Sequence, residues 1–176
     1  EVIAVVGKNT WDVMNARKAL KVVWENAPET KELGAGGRDT IVPAGLESTK
    51  KHYADMLEMD KKPGRVERKD GDPEKAFAEA KHVIERTYKA PFLAHNIMEP
   101  TNTFAHVQGD KVRILGPIQG PDMVANTVAA RLGIPKENIE IELARMGGGF
   151  GRRAYGHYMV EAVLISKQTK APIKLI

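Results

Sequence analysis

The sequence contains no cysteine. That excludes disulfides, thiolate metal sites, cysteine-ligated iron–sulfur clusters and a cysteine nucleophile within these residues. It leaves the compartment open. Serine is nearly as scarce: Ser48 and Ser166 are the two present, and neither sits in a Gly-x-Ser-x-Gly setting, so a serine-hydrolase nucleophile has no place. No run of about 18 apolar residues occurs, so no stretch reads as a membrane-spanning helix. Neither sign of charge dominates: 27 Lys and Arg stand against 23 Asp and Glu, interspersed, for a net charge of +4. There is no dense basic block interleaved with aromatics, which argues against nucleic acid as a partner. The phosphate-loop pattern GxxxxGK[ST] is absent, as are GxGxxG and HExxH. His52, His82, His95, His106 and His157 are scattered without metal-ligand spacing. His95 and Glu99 are four apart, but Pro100 and the irregular sequence around them argue against a helical metal pair.

What is present falls into three stretches. Residues 1–25 read as a β-α-β unit. Val2 to Val6 is short, continuous and β-branched, the pattern of a buried strand. Asn9 or Thr10 can cap a helix through Leu20, and Lys21 to Glu25 reads as a second strand. Trp11 and Trp24 read as core residues. The chain opens on one apolar run and closes on another, Ile173 to Ile176, which predicts a piece of a larger polypeptide or a trimmed chain.

Residues 26–71 carry weaker signals and read as a connection or insertion. Gly34 to Gly37 reads as a flexible loop, and His52 to Met59 as a short helix. From residue 72 the signals sharpen. Asp72-Pro73-Glu74 combines an N-cap, a proline at the first helical position and an acid in the first turn. Lys81 to Lys89 alternates partly and predicts a strand. Ala90 to Pro100 is irregular and suits a buried turn with polar side chains. Phe104–Val107 and Val112–Leu115 predict two strands around Gln108-Gly109-Asp110. Asp122 to Leu132 predicts a helix ended by Gly133, Ile139 to Leu143 alternates as a strand, Ala154 to Lys167 is helix-like, and a final strand starts near Pro172.

Between that strand and that helix lies Met146-Gly147-Gly148-Gly149-Phe150-Gly151-Arg152-Arg153, with four glycines in five residues. Glycine lets the backbone take positive φ and approach a ligand closely. A Gly-rich turn before a helix aims N–H groups at one spot and suits an anion, to which the arginines add charge. Phe150 is out of place in a loop that only cradles phosphate and suggests a wall against a planar group. The plain alternative is a tight, flexible turn. Four adjacent glycines carry a high entropy cost, which argues that geometry demands them.

Four motifs in order carry a resemblance: Ala94-His95-Asn96-Ile97-Met98-Glu99-Pro100, Gln119-Gly120-Pro121, Leu132-Gly133-Ile134-Pro135 and Gly147 to Arg153. Together they resemble the large, molybdenum-cofactor-binding subunit of the xanthine dehydrogenase/aldehyde oxidase family, most of all its isoquinoline 1-oxidoreductase β-subunit branch. The resemblance implies an α+β fold: the end of a hammerhead-like domain over 1–25, then the N-terminal part of a molybdopterin-binding domain over 72–176.

By that resemblance Gln119 matches an amide beside the molybdenum centre, hydrogen-bonding an oxo group or the pterin. Phe150 and Gly151 match the loop whose backbone approaches the metal's apical oxo group and the pterin. Gly148 and Gly149 shape that approach, and Arg152 follows where a cofactor phosphate would lie. Glu99 matches an acidic position near the substrate pocket; the alternative is a buried carboxylate paired with a neighbouring His or a backbone amide.

The implied chemistry is hydroxylation of an N-heteroaromatic ring or an aldehyde, with water as oxygen source. The implied cofactor is molybdopterin with molybdenum, as the cytosine dinucleotide form, with iron–sulfur clusters on a small partner subunit. The family's general base lies downstream of Ile176, so these residues by themselves are expected to be inactive. The compartment, cytoplasmic or periplasmic, stays open. Two rivals come from other classes: a non-catalytic binding or interaction module that keeps the fold, and an anion- or nucleotide-binding α/β domain.

Overall fold

A computed structural model describes residues 2–25, 28–33, 39–42, 44 and 48–176. Contacts divide the chain into two units, residues 1–44 with 94–176, and residues 45–93. In the first unit, helix α1 (Thr10–Ala19) is capped by Asn9, whose side-chain oxygen accepts the Asp12 N–H at 2.9 Å. The β-α-β unit expected over 1–25 is corrected to this helix alone. Residues 2–7 and 20–25 hold no strand, and Val2 and Val6 are exposed. Trp11 and Trp24, expected in a core, are 71% and 64% exposed. A β-branched run has strand propensity, but a strand exists only when another strand takes its backbone N–H and C=O groups. No described residues pair with these runs. Strands β1 (Thr30–Leu33) and β2 (Asp39–Val42) pair antiparallel, Thr30 opposite Val42. The predicted Gly34–Gly37 loop lies outside the described residues.

In the second unit, α2 (Thr49–Asp60) is capped by Ser48 and α3 (Pro73–Glu79) by Asp72, with Pro73 at the first helical position. The strand expected over 81–89 does not form, and Ile84 and Tyr88 are 80% and 89% exposed. Its alternation puts Val83 beside Glu85 and Thr87 on one side, and Ile84 beside Arg86 and Tyr88 on the other. Neither side is apolar enough to bury.

The core belongs to the rest of the chain: all buried residues among those described fall between Thr103 and Ser166. Strands β3 (Thr103–Gln108) and β4 (Lys111–Gly116) form a hairpin, Phe104 opposite Leu115 and Gln108 opposite Lys111. Gly109 turns it at φ 64°, a left-handed angle that glycine takes without steric cost. Helix α4 (Pro121–Leu132) crosses over to β5 (Ile139–Leu143), which lies parallel to β4. A parallel pair needs such a crossover. Helix α5 (His157–Thr169) then leads to β6 (Ile173–Leu175), antiparallel to β3, and the sheet order is β5-β4-β3-β6.

Alternation decides which face is covered. Ala105, Val112 and Ile114 are buried against Val128 of α4 and Met159 and Val163 of α5. Fully burying each of these valine, isoleucine and methionine side chains contributes about 1.5–3 kcal/mol. Ser166, fully buried on α5, accepts the Val107 N–H at 3.0 Å and donates to the Ala171 carbonyl at 2.7 Å. It thereby fastens the helix to the sheet and to the turn before β6. No helix among the described residues is long and apolar enough to cross a membrane.

This topology has one consequence for the site. β4 and β5 run parallel, so both end at the same side of the sheet. β3 runs against them, so it begins there. The segment before β3, the loop after β4 and the glycine loop after β5 therefore meet at one sheet end. Open sheets bind ligands in such places, outside the carboxyl ends of parallel strands.

Candidate functional site

Gly116, the last residue of β4, is buried where these segments meet. A Cβ on it would stand 3.0 Å from both Thr103 Oγ1 and the Met159 side chain. Its carbonyl accepts the Ala144 N–H at 3.2 Å, carrying the β4–β5 pairing into the start of the glycine loop. The Tyr158 hydroxyl donates to the Pro117 carbonyl and pins the 116–121 loop onto α5. Burial pushes the Tyr158 phenol above its ordinary pKa, the Arg153 charge opposes this and Glu99 adds to it. The phenol therefore stays neutral and keeps donating.

Gln119 is held at both ends. Its backbone N–H donates to the Arg153 carbonyl at 2.9 Å, and its side-chain oxygen accepts the Gly151 N–H at 3.2 Å. The side chain is exposed, so its amide NH2 remains a free donor at the surface. Gly149 passes directly beside it: a Cβ there would fall 2.7 Å from the Gln119 side-chain oxygen. Gly148 and Gly151 take φ of 101° and 82°, and a Cβ on Gly151 would lie 3.2 Å from His95 Nδ1. Phe150 itself sits at φ 48° with its ring 73% exposed. A left-handed angle costs a non-glycine residue about 1–2 kcal/mol. Two successive turns, Arg152 N–H to Gly149 C=O at 2.8 Å and Ala154 N–H to Gly151 C=O at 3.1 Å, hold it there.

Glu99 joins the segment before β3 to the same loop. One carboxylate oxygen accepts the Gly147 N–H at 2.7 Å and meets Arg153 Nη2 at 2.8 Å; the other accepts from Asn102 at 3.0 Å. Arg153 Nη2 also donates to the Glu99 carbonyl at 3.0 Å. The Gly147 amide, then Asn102, then Arg153 hold the Glu99 carboxyl below its ordinary pKa, against the pull of burial. Its bonds are those of a latch between two segments. Gly147 is obligatory beneath it, since a Cβ would come 2.5 Å from that of Glu99.

The structure therefore brings together Glu99, Gln119, Gly148, Gly149, Phe150 and Gly151. Arg152 follows with an exposed side chain. Sequence reasoning treated Arg153 as added charge only. In the structure it is fully buried and touches both Glu99 and Gln119, and its Nε and Nη1 have no partner among the described residues. Two adjacent arginines look alike in a sequence, and no local signal tells which turns inward. Among the described residues, no three His, Cys, Asp or Glu side chains converge as metal ligands.

A molybdopterin cofactor-binding domain model matches residues 57–176, which include all of these segments. The chain belongs to the molybdopterin cofactor-binding domain family. A membrane-bound aldehyde dehydrogenase (pyrroloquinoline-quinone) of Gluconacetobacter polyoxogenes is 33% identical over 108 residues, covering 61% of this chain and 14% of that protein. Xanthine dehydrogenase of Dictyostelium discoideum is 31% identical over 111 residues, covering 61% of this chain and 8% of that protein. Among solved structures, quinoline 2-oxidoreductase from Pseudomonas putida 86 matches with a TM-score of 0.52 at 23% identity, over 60% of this chain and 14% of that one. This last likeness shows a shared mixed α/β fold. The chain thus spans a small part of the length of each of these proteins. In this chain, Arg153 and Glu99 form a junction beneath the exposed Phe150.

Proposed function

We propose that this chain supplies one wall of a molybdopterin site in a molybdenum hydroxylase that oxidises N-heteroaromatic rings or aldehydes. The observation that carries the reading is the approach of the glycine loop to Gln119, so close that a Cβ at Gly149 would fill the space. The residues fit such a group. A bare backbone presents itself at the surface, the Gln119 NH2 is a free donor beside it, and the Phe150 ring stands exposed. The relatives' names supply the two substrate classes. The quinone named for the aldehyde dehydrogenase is not carried over, because the family of this chain is defined by molybdopterin.

The bound group would supply a two-electron oxidation in which water provides the oxygen. The chain's part is to hold and orient. Gln119 would donate through its NH2 to an oxo or pterin acceptor. Gly148, Gly149, Phe150 and Gly151 would give the backbone edge, and Phe150 would shield one side from water. Arg152 would meet the phosphate end, in the cytosine dinucleotide form of the cofactor. Glu99 would be a structural carboxylate rather than a substrate group, since its oxygens are engaged. The general base would come from elsewhere in a longer polypeptide, so these residues alone would be inactive.

In this reading residues 1–25 end a hammerhead-like domain, 26–71 connect, and 72–176 begin the cofactor-binding domain of an isoquinoline 1-oxidoreductase-type subunit. The iron–sulfur clusters would sit on a small partner subunit. The test is metal and pterin analysis of the full-length protein. Stoichiometric molybdenum with a cytosine-dinucleotide pterin is expected, and its absence from active preparations would sink the reading. Gln119→Ala in that protein lowers turnover about 100- to 1,000-fold, the range for one removed transition-state donor, with the melting temperature unchanged. Unchanged turnover removes Gln119 from the site.

A further inference from the structure

We propose that Arg153 is the positioning residue of this wall: it sets Gln119 and both shoulders of the glycine loop in one register. The assignment rests on the functional reading above and adds a residue to it. Hydrogen bonds run from Arg153 to both shoulders of the loop, and the loop backbone closes the circuit. The Arg153 carbonyl accepts the Gln119 N–H at 2.9 Å, and the Gln119 side chain accepts the Gly151 N–H at 3.2 Å. On the other side, Arg153 Nη2 bonds the Glu99 carbonyl at 3.0 Å and meets its carboxylate at 2.8 Å. That carboxylate accepts the Gly147 N–H at 2.7 Å. Gly147 and Gly151 bracket the residues that face outward, and each is tied to a group that Arg153 touches.

The partners are far apart in sequence, by 54, 48 and 32 residues for the Arg153–Glu99, Gly147–Glu99 and Gly151–Gln119 bonds. Local propensity therefore cannot set the loop. It is set by residue 153: its guanidinium, 0% exposed, ties this stretch of backbone to Glu99 and so places the carbonyl that takes the Gln119 N–H. Such a charge is costly to bury unless paired, so it persists where its pairing fixes something. Arg152, one residue earlier, is exposed and free to meet a ligand. The two arginines divide the work: one faces out and one holds the loop. Lysine at 153 would keep the charge but present a compact, more strongly hydrated ammonium, and so restore the geometry in part.

The test needs no cofactor. Amide hydrogen exchange and amide proton shifts are measured on the full-length protein and on its Arg153→Met, Arg153→Lys and Glu99→Gln variants. In Arg153→Met the β3–β4 amides stay protected, the Gln119 and Gly151 amides exchange about tenfold faster or more, and the Gly147 proton moves away from its carboxylate-bonded position. Arg153→Lys falls between this variant and the wild type. Glu99→Gln moves Gly147 as Arg153→Met does. Unchanged Gln119, Gly147 and Gly151 amides in Arg153→Met, with the sheet still protected, overturn the assignment. If Arg153→Met loses the sheet, Glu99→Gln decides: a Gly147 shift with faster Gly151 exchange supports the circuit, and no change refutes it. A protein without molybdenum would sink the functional reading and leave these amide effects standing. Unmoved amides in a molybdenum-loaded protein would sink the Arg153 assignment alone.

Discussion

Gly149 has no left-handed backbone angle, so its missing side chain is a matter of space. Its Cβ would meet the Gln119 side-chain oxygen at 2.7 Å, and Gln119 is the movable partner. Gly149→Ala is expected to cost about 1–3 kcal/mol, as overpacking does, and to turn the Gln119 amide out of the loop. Thermal unfolding with molybdenum content of the full-length protein checks both effects. Glu99 makes a pH prediction. Its carboxyl titrates below the ordinary value of 4.5 in the folded chain, so the native state releases that proton more readily than the unfolded one. The stability it contributes is full above the ordinary carboxylate value and is lost as pH falls through the depressed one. Urea unfolding from about pH 6 to pH 3 should show this loss, and Glu99→Gln should flatten that part of the curve. At this scale the site was half legible. Glycines announce close approach because they are costly anywhere else, and Gln119 stood out as an amide between Gly and Pro. The inward turn of Arg153 was not legible, because burial of a charge depends on a partner that the local sequence does not contain.

Helices and strands from Thr103 onward follow their sequence signals closely. Gly109 turns the hairpin, Gly133 closes α4 in the left-handed region, and Pro121 opens it. The alternation of β4 matches its exposed-buried pattern over Lys111 to Ile114. Earlier in the chain the same kind of evidence misled. Val2–Val6 has strand composition and no strand partner among the described residues, and 81–89 alternates without a clean apolar face. An element is legible when its period and its caps agree, and not when propensity stands alone. Ser166 links α5, β3 and the turn before β6. Ser166→Ala leaves the half-buried Val107 N–H and the Ala171 carbonyl without that partner. It should cost about 1–3 kcal/mol in denaturant unfolding. A loss within a few tenths of a kcal/mol would show that the hydroxyl is dispensable.

The whole molecule is uneven. Helices α1, α2 and α3 bury no residue, while the helix-covered sheet holds the core. Local stability follows buried apolar contact. Hydrogen exchange of the intact chain should therefore find the slowest amides in β3, β4 and α5, and fast exchange throughout 10–19, 49–60 and 73–79. Equal protection in α1 and α5 would contradict this. The site sits on the slow part, which suits a wall that must not move when a ligand arrives. The sequence by itself determined the elements beyond Thr103, the family resemblance and the glycines of the loop, because period, caps and steric freedom are local properties. Only the tertiary structure decided that three separate segments meet at one sheet end. It alone showed that Glu99 is a latch and that Arg153, not Arg152, lies beneath the loop. Strand direction and the pairing of a buried charge are settled by residues tens of positions away.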